Sequence, residues 1–412
     1  MGQYSKPKVK VGVVGCGAEA TAHYLPYLMQ METATPVAVC DIDVQRMATC
    51  ERLFGALQQY QDYHAMIERA DIDAVLILTG PGTHVHFTLQ AVQAGKHVLL
   101  QKPMALTLHD ANAIVRAVRQ AGVKAVVEPS FATLLDPDYV TLRYLLDQGV
   151  LGEPFWFSCM ASTPAIYCPA EEQYPHDPTT SYVLDSGSLL FDSPYAPTQI
   201  ATLLGDCKSV IGMTKKYSAE HFLAPGVEST NPLNRMTNSG NITTFPSIFS
   251  PLRSAQAPGD MATHVYSLYE MANGALGVFH ITCPLQPYLP DSGVFEIYGA
   301  EGNLVFAGDT PAAIMSRRKE LLPNVDADGW WHLPQQSKLD KAMRSPAKSG
   351  VFNHYHQSTQ HLIDCIRDDR DPLLNVEWGR HITEMLLGAL ESARTGKRYQ
   401  MTTTLTGLVA AG

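Results

Sequence analysis

Short apolar runs without alternation recur through the first third of the chain, with longer mixed segments between them. The runs cover residues 9–14, 37–40, 74–78, 97–100 and 124–127. Strands buried on both faces of a parallel sheet have this composition, and the segments between them have the length of helices. The first third therefore predicts an α/β domain with a doubly wound parallel sheet. Thr107 and Asp110 resemble a capping box that opens the helix through residue 121.

From Phe155 the pattern changes to alternating strands. Residues 264–271 and 275–283 flank Asn273-Gly274, which is a strong hairpin signal, and two further runs, 294–298 and 303–306, continue the series. This pattern predicts a large, mainly antiparallel open sheet. Helices return over 353–367 and about 376–395, the latter between Asn375 as N-cap and Gly396 after its end.

The length and composition bound the class of protein. With 412 residues the chain favours two domains, which we place at 1–130 (α/β) and 131–412 (α+β). The formal charge of −10 argues against nucleic acid as a partner, and no apolar run is long enough to cross a membrane. Eight scattered cysteines without a Cys-x-x-Cys pair, and no signal peptide, predict a cytoplasmic protein with reduced thiols.

A glycine turn follows the first predicted strand. Gly15-x-Gly17-x-x-Ala20 fits the dinucleotide-binding fingerprint, in which backbone N–H groups approach a pyrophosphate at a helix N-terminus. A tight strand–helix turn without a ligand explains the same residues. On the nucleotide reading, the domain is a Rossmann domain and the cofactor contacts are Gly15, Gly17, Ala18 and Glu19.

Asp41 follows the second predicted strand, a little over twenty residues after the turn. An acid at this place can hold the adenosine ribose hydroxyls and repels a 2′-phosphate. No arginine directly follows Asp41, so NAD(H) is favoured over NADP(H), with Arg46 as the residue that could oppose this preference.

Two further strand ends carry candidate ligand contacts. Thr79, Gly80 and His84 follow the third apolar run, and Gln101 and Lys102 follow the fourth. Ligands of doubly wound sheets bind at the carboxyl ends of the strands, so we expect these residues to face the cofactor. A lysine at the end of a buried strand either binds a ligand or extends to solvent.

Four segments in this order, GCGAEATAH, AVCDID, LTGPGTH and AGKHVLLQKPMA, resemble the glucose–fructose oxidoreductase / inositol dehydrogenase (Gfo/Idh/MocA) family of NAD(P)-dependent oxidoreductases. The resemblance covers most of the chain. In that family the lysine of a Glu-Lys-Pro motif lies at the nicotinamide and the substrate, which implies this role for Lys102. Gln101 replaces the glutamate, so a counter-charge is lost. The Lys102–Pro103 bond is a candidate cis peptide.

The resemblance also implies a catalytic helix in the second domain, opened by an aspartate with a histidine four residues later. Two registers are open. If Asp185 is the family aspartate, Leu189 takes the histidine position and the site has no acid–base group. If Asp192 is that aspartate, Tyr195 lies near the histidine position, which resembles a family branch with a Phe-Asp-x-x-Pro-Tyr pattern, with one residue missing here. We adopt the second register.

Hydride transfer from a carbinol needs a group that takes the hydroxyl proton. Tyr195 can do so if a cation such as Lys102 stabilises its phenolate, and Asp192 would orient the substrate or the tyrosine. Because Pro194 and Pro197 bracket Tyr195, we expect its helix to begin after Pro197.

Several other residues are candidates for substrate contacts. His264, Tyr182 and Tyr167 are assigned to this group, and aromatic residues occur in two long segments, 215–259 and 307–350. The histidines of 353–367 have no completing ligand set, so we expect no metal.

The leading hypothesis is an NAD-dependent oxidoreductase that acts on a carbinol of a sugar, polyol or glycoside. The first alternative retains NAD and uses transient oxidation for elimination, glycoside cleavage or epimerisation. The second is a non-enzymatic dinucleotide-binding regulator, which the altered Gln101-Lys102-Pro103 motif favours. The family resemblance further implies a homo-oligomer, a dimer or tetramer, formed through the C-terminal sheet.

Overall fold

The structure is a computed structural model that describes residues 6–17, 19–130, 132–162, 194–215, 264–282, 294–307, 312–334 and 354–405. The chain divides into two compact units. The first comprises Met1–Phe131 and Ser337–Thr383, and the second comprises Ala132–Gln336 and Glu384–Gly412. The last of the three boundaries, between Thr383 and Glu384, falls within the continuous helix Val376–Thr395.

The strands of the first unit form a six-stranded parallel sheet. Their bounds are β1 Val9–Val14, β2 Ala34–Cys40, β3 Gln58–Tyr60, β4 Ala74–Ile77, β5 His97–Leu100 and β6 Ala125–Val127. They lie in the order β3-β2-β1-β4-β5-β6. The predicted doubly wound sheet is confirmed. The sequence pattern missed β3, because Gln-Gln-Tyr at the sheet edge is largely exposed and carries no apolar signal.

The core of this sheet is formed by its central strands. Every residue of β4 is buried, and β1 and β5 are buried except at one position each. Leu76, Ile77 and Leu99 have no exposed side-chain surface. Each such side chain contributes about 1.5–3 kcal/mol through burial, which fixes the strands and therefore their carboxyl ends.

The described α-helices are α1 Leu25–Leu28, α2 Val44–Phe54, α3 Tyr63–Arg69, α4 His84–Gln93, α5 Leu108–Ala121, α6 Pro137–Asp147, α7 Tyr195–Leu204, α8 His354–Asp368 and α9 Val376–Thr395. The predicted cap of α5 is confirmed: Asp110 N–H donates to Thr107 Oγ1 at 3.1 Å, and Gly122 ends the helix with φ +67°. Asn375 caps α9 by accepting from Trp378 N–H at 3.0 Å. Helix α8 packs against β1, β5 and β6.

The second unit contains a nine-stranded sheet. Its strands are β7 Pro154–Ser162, β8 Cys207–Lys215, β9 His264–Met271, β10 Leu276–Thr282, β11 Val294–Gly299, β12 Gly302–Ala307, β13 Ala313–Ser316, β14 Trp330–His332 and β15 Tyr399–Gln400. They lie in the order β14-β13-β12-β11-β7-β10-β9-β8-β15. Neighbours are antiparallel except β10 and β7. The predicted hairpin is confirmed, with Gly274 at φ +91° between β9 and β10.

Helix α7 begins at Tyr195, so the expectation that it begins after Pro197 was wrong. The first four N–H groups of a helix have no partner within it, and a proline in the first turn therefore loses no hydrogen bond. Tyr195 thus lies on the helix itself rather than in the loop before it.

Candidate cofactor and active site

The glycine turn follows β1 directly. Gly15 has φ +92°, and a Cβ there would lie 2.7 Å from the carbonyl oxygen of Leu78. Only glycine fits both the backbone conformation and the space. The chain then continues as a π-helix, Glu19–Tyr24, a form that is often found at functional sites. Gly15, Gly17 and Glu19 are described at this turn, and Ala18 lies outside the described residues.

The side chain of Asp41 is hydrogen-bonded to the glycine turn. Its Oδ2 accepts from Cys16 N–H at 2.7 Å, and its Oδ1 accepts from Asp43 N–H at 2.9 Å. A carboxylate oxygen has a second lone pair, so both oxygens can still accept from ribose hydroxyls. Arg46 Nη1 lies 3.4 Å from the position that a Cβ of Gly17 would occupy, and Arg46 Nε lies 3.5 Å from Asp43. The cation of Arg46 therefore lies beside the glycine turn, as does the carboxylate of Asp41.

His84 connects the loops that follow β4 and β5. Its Nδ1 lies 2.8 Å from the Pro103 carbonyl oxygen and its Nε2 lies 3.0 Å from that of Thr79. The ring is fully buried, and burial lowers the pKa of His84 to about 4, although the two backbone hydrogen bonds raise it. A neutral imidazole has one N–H and therefore donates to only one of the two carbonyl oxygens. The geometry indicates that His84 positions the two loops. Thr79 and Gly80 lie in the first of them, with Thr79 Oγ1 2.6 Å from Thr83 Oγ1.

Lys102 and Gln101 lie at the carboxyl end of β5. Lys102 is only 6% exposed, and its bond to Pro103 is cis. Gln101 is buried beside it: Oε1 accepts from Lys102 N–H at 2.7 Å, and Nε2 donates to Tyr24 Oη at 3.3 Å. The lysine charge contributes to the lowered pKa of His84. Lys102 is therefore held at the strand end rather than extended into solvent.

The remaining predicted site residues belong to the second unit. Tyr195 is half-buried at the first position of α7. His264 begins β9, half-buried and opposite Thr282 of β10, and burial lowers its pKa. Asp192, Tyr182 and Tyr167 lie outside the described residues, as do most of 215–259 and part of 307–350.

Sequence reasoning missed a buried polar chain at the same sheet edge as Lys102. Tyr24 Oη donates to Glu128 Oε1 at 2.9 Å, and Ser130 N–H donates to Glu128 Oε2 at 2.6 Å. Ser358 Oγ also contacts the same carboxylate. A signal was available, because Glu128 directly follows β6 just as Lys102 closely follows β5.

The described part of the chain shows neither a metal site nor a membrane span. It contains no cluster of three or more histidine, cysteine, aspartate or glutamate side chains that could hold a metal ion. His361 of α8 instead accepts from Leu373 N–H at 2.9 Å. Among the described helices, none combines the length and the apolar character needed to cross a bilayer.

Comparison with known proteins identifies the first domain. Residues 9–128 match the Gfo/Idh/MocA model, described as an oxidoreductase family with an NAD-binding Rossmann fold. This domain belongs to that family. The chain is 34% identical over 152 residues to an inositol 2-dehydrogenase of Klebsiella pneumoniae and 31% identical over 197 residues to one of Burkholderia lata. These alignments cover 37% and 47% of the chain but 45% and 57% of the relatives, so the chain spans about half of their length.

The likeness to solved structures extends over both domains. Levoglucosan dehydrogenase in complex with NADH and levoglucosan has a TM-score of 0.71, with 96% of this chain and all of that chain covered, at 18% identity. The WlbA dehydrogenase of Bordetella pertussis, in complex with NADH and UDP-GlcNAcA, has a TM-score of 0.65, with 96% and 99% covered, at 19% identity. The fold of a parallel-sheet domain combined with an open-sheet domain is thus shared with these structures.

Proposed function

We propose that this protein is an NAD(H)-dependent oxidoreductase that transfers a hydride between nicotinamide and a carbinol or carbonyl of a sugar or polyol. The observation that carries the proposal is the buried Lys102 at the carboxyl end of β5, in a domain whose family binds NAD. A lysine at this place can donate a hydrogen bond to a ligand hydroxyl. The names of the relatives support a sugar or polyol as substrate.

The residues at the sheet edge fit the dinucleotide. Backbone groups of Gly15, Gly17 and the adjoining Ala18 and Glu19 would bind the pyrophosphate, where a Cβ at Gly15 would meet Leu78. Asp41 would bind the ribose hydroxyls. Residues at the ends of β4 and β5 would line the nicotinamide side, namely Thr79, Gly80, Gln101 and Lys102, with His84 holding their loops. When bound, the cofactor supplies the hydride acceptor or donor.

The acid–base roles fall to three side chains in this proposal. Tyr195 takes the carbinol proton, Lys102 stabilises the resulting phenolate, and Asp192 orients the substrate or Tyr195. A tyrosine can act near neutral pH only if a neighbouring cation lowers its pKa, which is the role of the lysine. Tyr182, Tyr167 and His264 are proposed to contribute to substrate binding.

The test uses two variants and a panel of carbinols that includes myo-inositol and levoglucosan. Tyr195→Phe should bind NADH as wild type does and lose turnover by roughly 100-fold or more, and Lys102→Met should lose turnover similarly. Unchanged turnover in Tyr195→Phe would eliminate the chosen register. Leu53→Asp, an exposed change on α2, serves as the control.

The same assay separates the alternative functions. Activity that needs no added cofactor, with NAD retained through purification, would favour transient oxidation in elimination, glycoside cleavage or epimerisation. NADH binding without turnover of any carbinol would favour a non-enzymatic regulator and contradict the proposal.

A homo-oligomer, a dimer or tetramer, is also proposed, formed through the outward face of the nine-stranded sheet. Its central strands leave large apolar side chains accessible on that face, with Met213 71% and Tyr266 51% exposed. The other members are Trp156, Met160, Ile211, Leu268, Leu276, Val278 and Tyr298. A contiguous apolar face of this kind is typical of protein–protein interfaces.

A cytoplasmic location is part of the proposal. Among the described residues, six cysteines are buried and form no disulfide: Cys16, Cys40, Cys50, Cys159, Cys207 and Cys365. Reduced cysteines in this number are typical of proteins in a reducing compartment.

A further inference from the structure

We propose that Glu128 is a positioning residue for Lys102, acting through a buried hydrogen-bond chain that runs from Glu128 through Tyr24 to Gln101. The inference rests on the proposed role of Lys102 at the nicotinamide. All members of the chain lie in the first unit and are buried. Glu128 and Gln101 leave neighbouring parallel strands side by side, because Glu128 N–H donates to the Leu100 carbonyl at 2.9 Å.

The backbone N–H of Lys102 fixes the orientation of the Gln101 amide, and that orientation sets the direction of the hydrogen bonds that follow. Lys102 N–H can only donate, so the atom of Gln101 that it meets at 2.7 Å is the amide oxygen. The amide NH2 of Gln101 therefore faces Tyr24 and donates to its oxygen. At the other end Ser130 N–H donates to Glu128.

The phenol of Tyr24 has a single proton, which is thus given to Glu128 at 2.9 Å. Burial and the adjacent carboxylate raise the pKa of Tyr24 well above its ordinary value, so the proton stays on the phenol. Every donor and acceptor of this hydrogen-bond chain has a partner because Gln101 is an amide that donates to Tyr24 and Glu128 is an acid that accepts from it. Two acids would compete for one phenol proton, and two amides would leave that proton without an acceptor.

Charge gives the second reason to connect Glu128 with Lys102. Among the described residues of the first unit, Glu128 is the only buried carboxylate and Lys102 the only buried amine. A buried charge is costly unless an opposite charge or hydrogen bonds compensate it. Burial raises the pKa of Glu128, whereas hydrogen bonds from Ser358, Tyr24 and Ser130 lower it. The two groups lie at the ends of adjacent strands, and the hydrogen-bond chain fixes the backbone of Lys102 relative to the carboxyl group of Glu128.

The decisive experiment is a charge-swap cycle of Glu128→Gln, Gln101→Glu and the double variant. Each single variant breaks the pairing at Tyr24 and should lower kcat/KM about 10- to 100-fold and shift its pH profile. The double variant reverses the direction of the chain and keeps its hydrogen bonds to Tyr24, because the carboxylate introduced at position 101 can accept from the phenol while the amide introduced at position 128 donates to it. It should recover kcat/KM to within about 3-fold of wild type.

The same variants are also measured in the absence of any sugar. Failure of the inference about Glu128 can then be distinguished from failure of the proposed oxidoreductase function. Tm and the emission of bound NADH should change in each single variant and return in the double variant. Glu384→Gln is the matched control: this buried acid accepts from Tyr399 and Thr402 in the second unit, so its loss should lower Tm and leave the NADH emission unchanged. A double variant no better than the worse single variant would overturn the inference.

Discussion

The six-stranded sheet and the nine-stranded sheet differ in where their polar and apolar side chains lie. The parallel sheet is covered on both faces, and its polar chemistry, including Asp41, Lys102 and Glu128, collects where the strands end. The antiparallel sheet buries one face and leaves the other with exposed apolar side chains such as Met213 and Leu268. The difference follows from connectivity: crossover helices cover a parallel sheet, whereas hairpins leave one face open.

The largest expected effect concerns the edge of the parallel sheet. Gly15→Ala places a methyl group 2.7 Å from the Leu78 carbonyl at a positive φ, so the turn must shift. We expect NADH affinity to fall about 100-fold and the free energy of unfolding to fall by about 1–3 kcal/mol. Fluorescence titration and denaturant unfolding measure the two quantities. Gly55→Ala is the control, since φ is +86° there but nothing lies within 4 Å. An equal loss of NADH affinity in both variants would contradict a specific role of the Gly15 turn in binding NADH.

The next effect concerns the open face of the second sheet. Leu268→Asp adds a charge at the centre of that face, where Leu268 pairs with Ile211 and Val278. We expect the subunit dissociation constant to rise about 100-fold, seen by analytical ultracentrifugation as a loss of the oligomer. Leu53→Asp makes the same change at an exposed site of the first unit and should leave the mass unchanged. A wild-type protein that is monomeric at high concentration would contradict the proposed interface.

The smallest effect concerns the choice between NAD(H) and NADP(H) at the carboxyl ends of the parallel strands. Asp41→Asn removes the charge while its amide can still accept from one of the two N–H groups. We expect the affinity ratio to move about 10-fold toward NADP(H), because the repulsion of a 2′-phosphate is lost. Adding Arg46→Gln should reverse part of that gain, since Arg46 lies beside Gly17. A wild-type preference for NADP(H) would refute the ribose argument.

Elements with a clear local pattern of apolar and turn residues were predicted from the sequence, and elements without one were not. The bounds of β1, β5 and β9 were predicted to the residue, because each is a clear apolar run or an alternating run next to a hairpin turn. The edge strand β3 and the start of α7 were not, since an exposed Gln-Gln-Tyr and a proline in a first helical turn give no distinctive pattern. Lys102 was found by its place after a strand, and the same rule applied to Glu128 would have found it too.

By itself, then, the sequence determined the central strands of the first unit, the hairpin of β9 and β10, the glycine turn and the residues at strand ends, because these depend on neighbours along the chain. Only the tertiary structure decided which distant residues meet. It brought Ser358 of α8 to Glu128, placed Tyr24 between Gln101 and Glu128, and buried His84 between two loops. Such pairings arise from packing between segments far apart in sequence, and no local pattern encodes them.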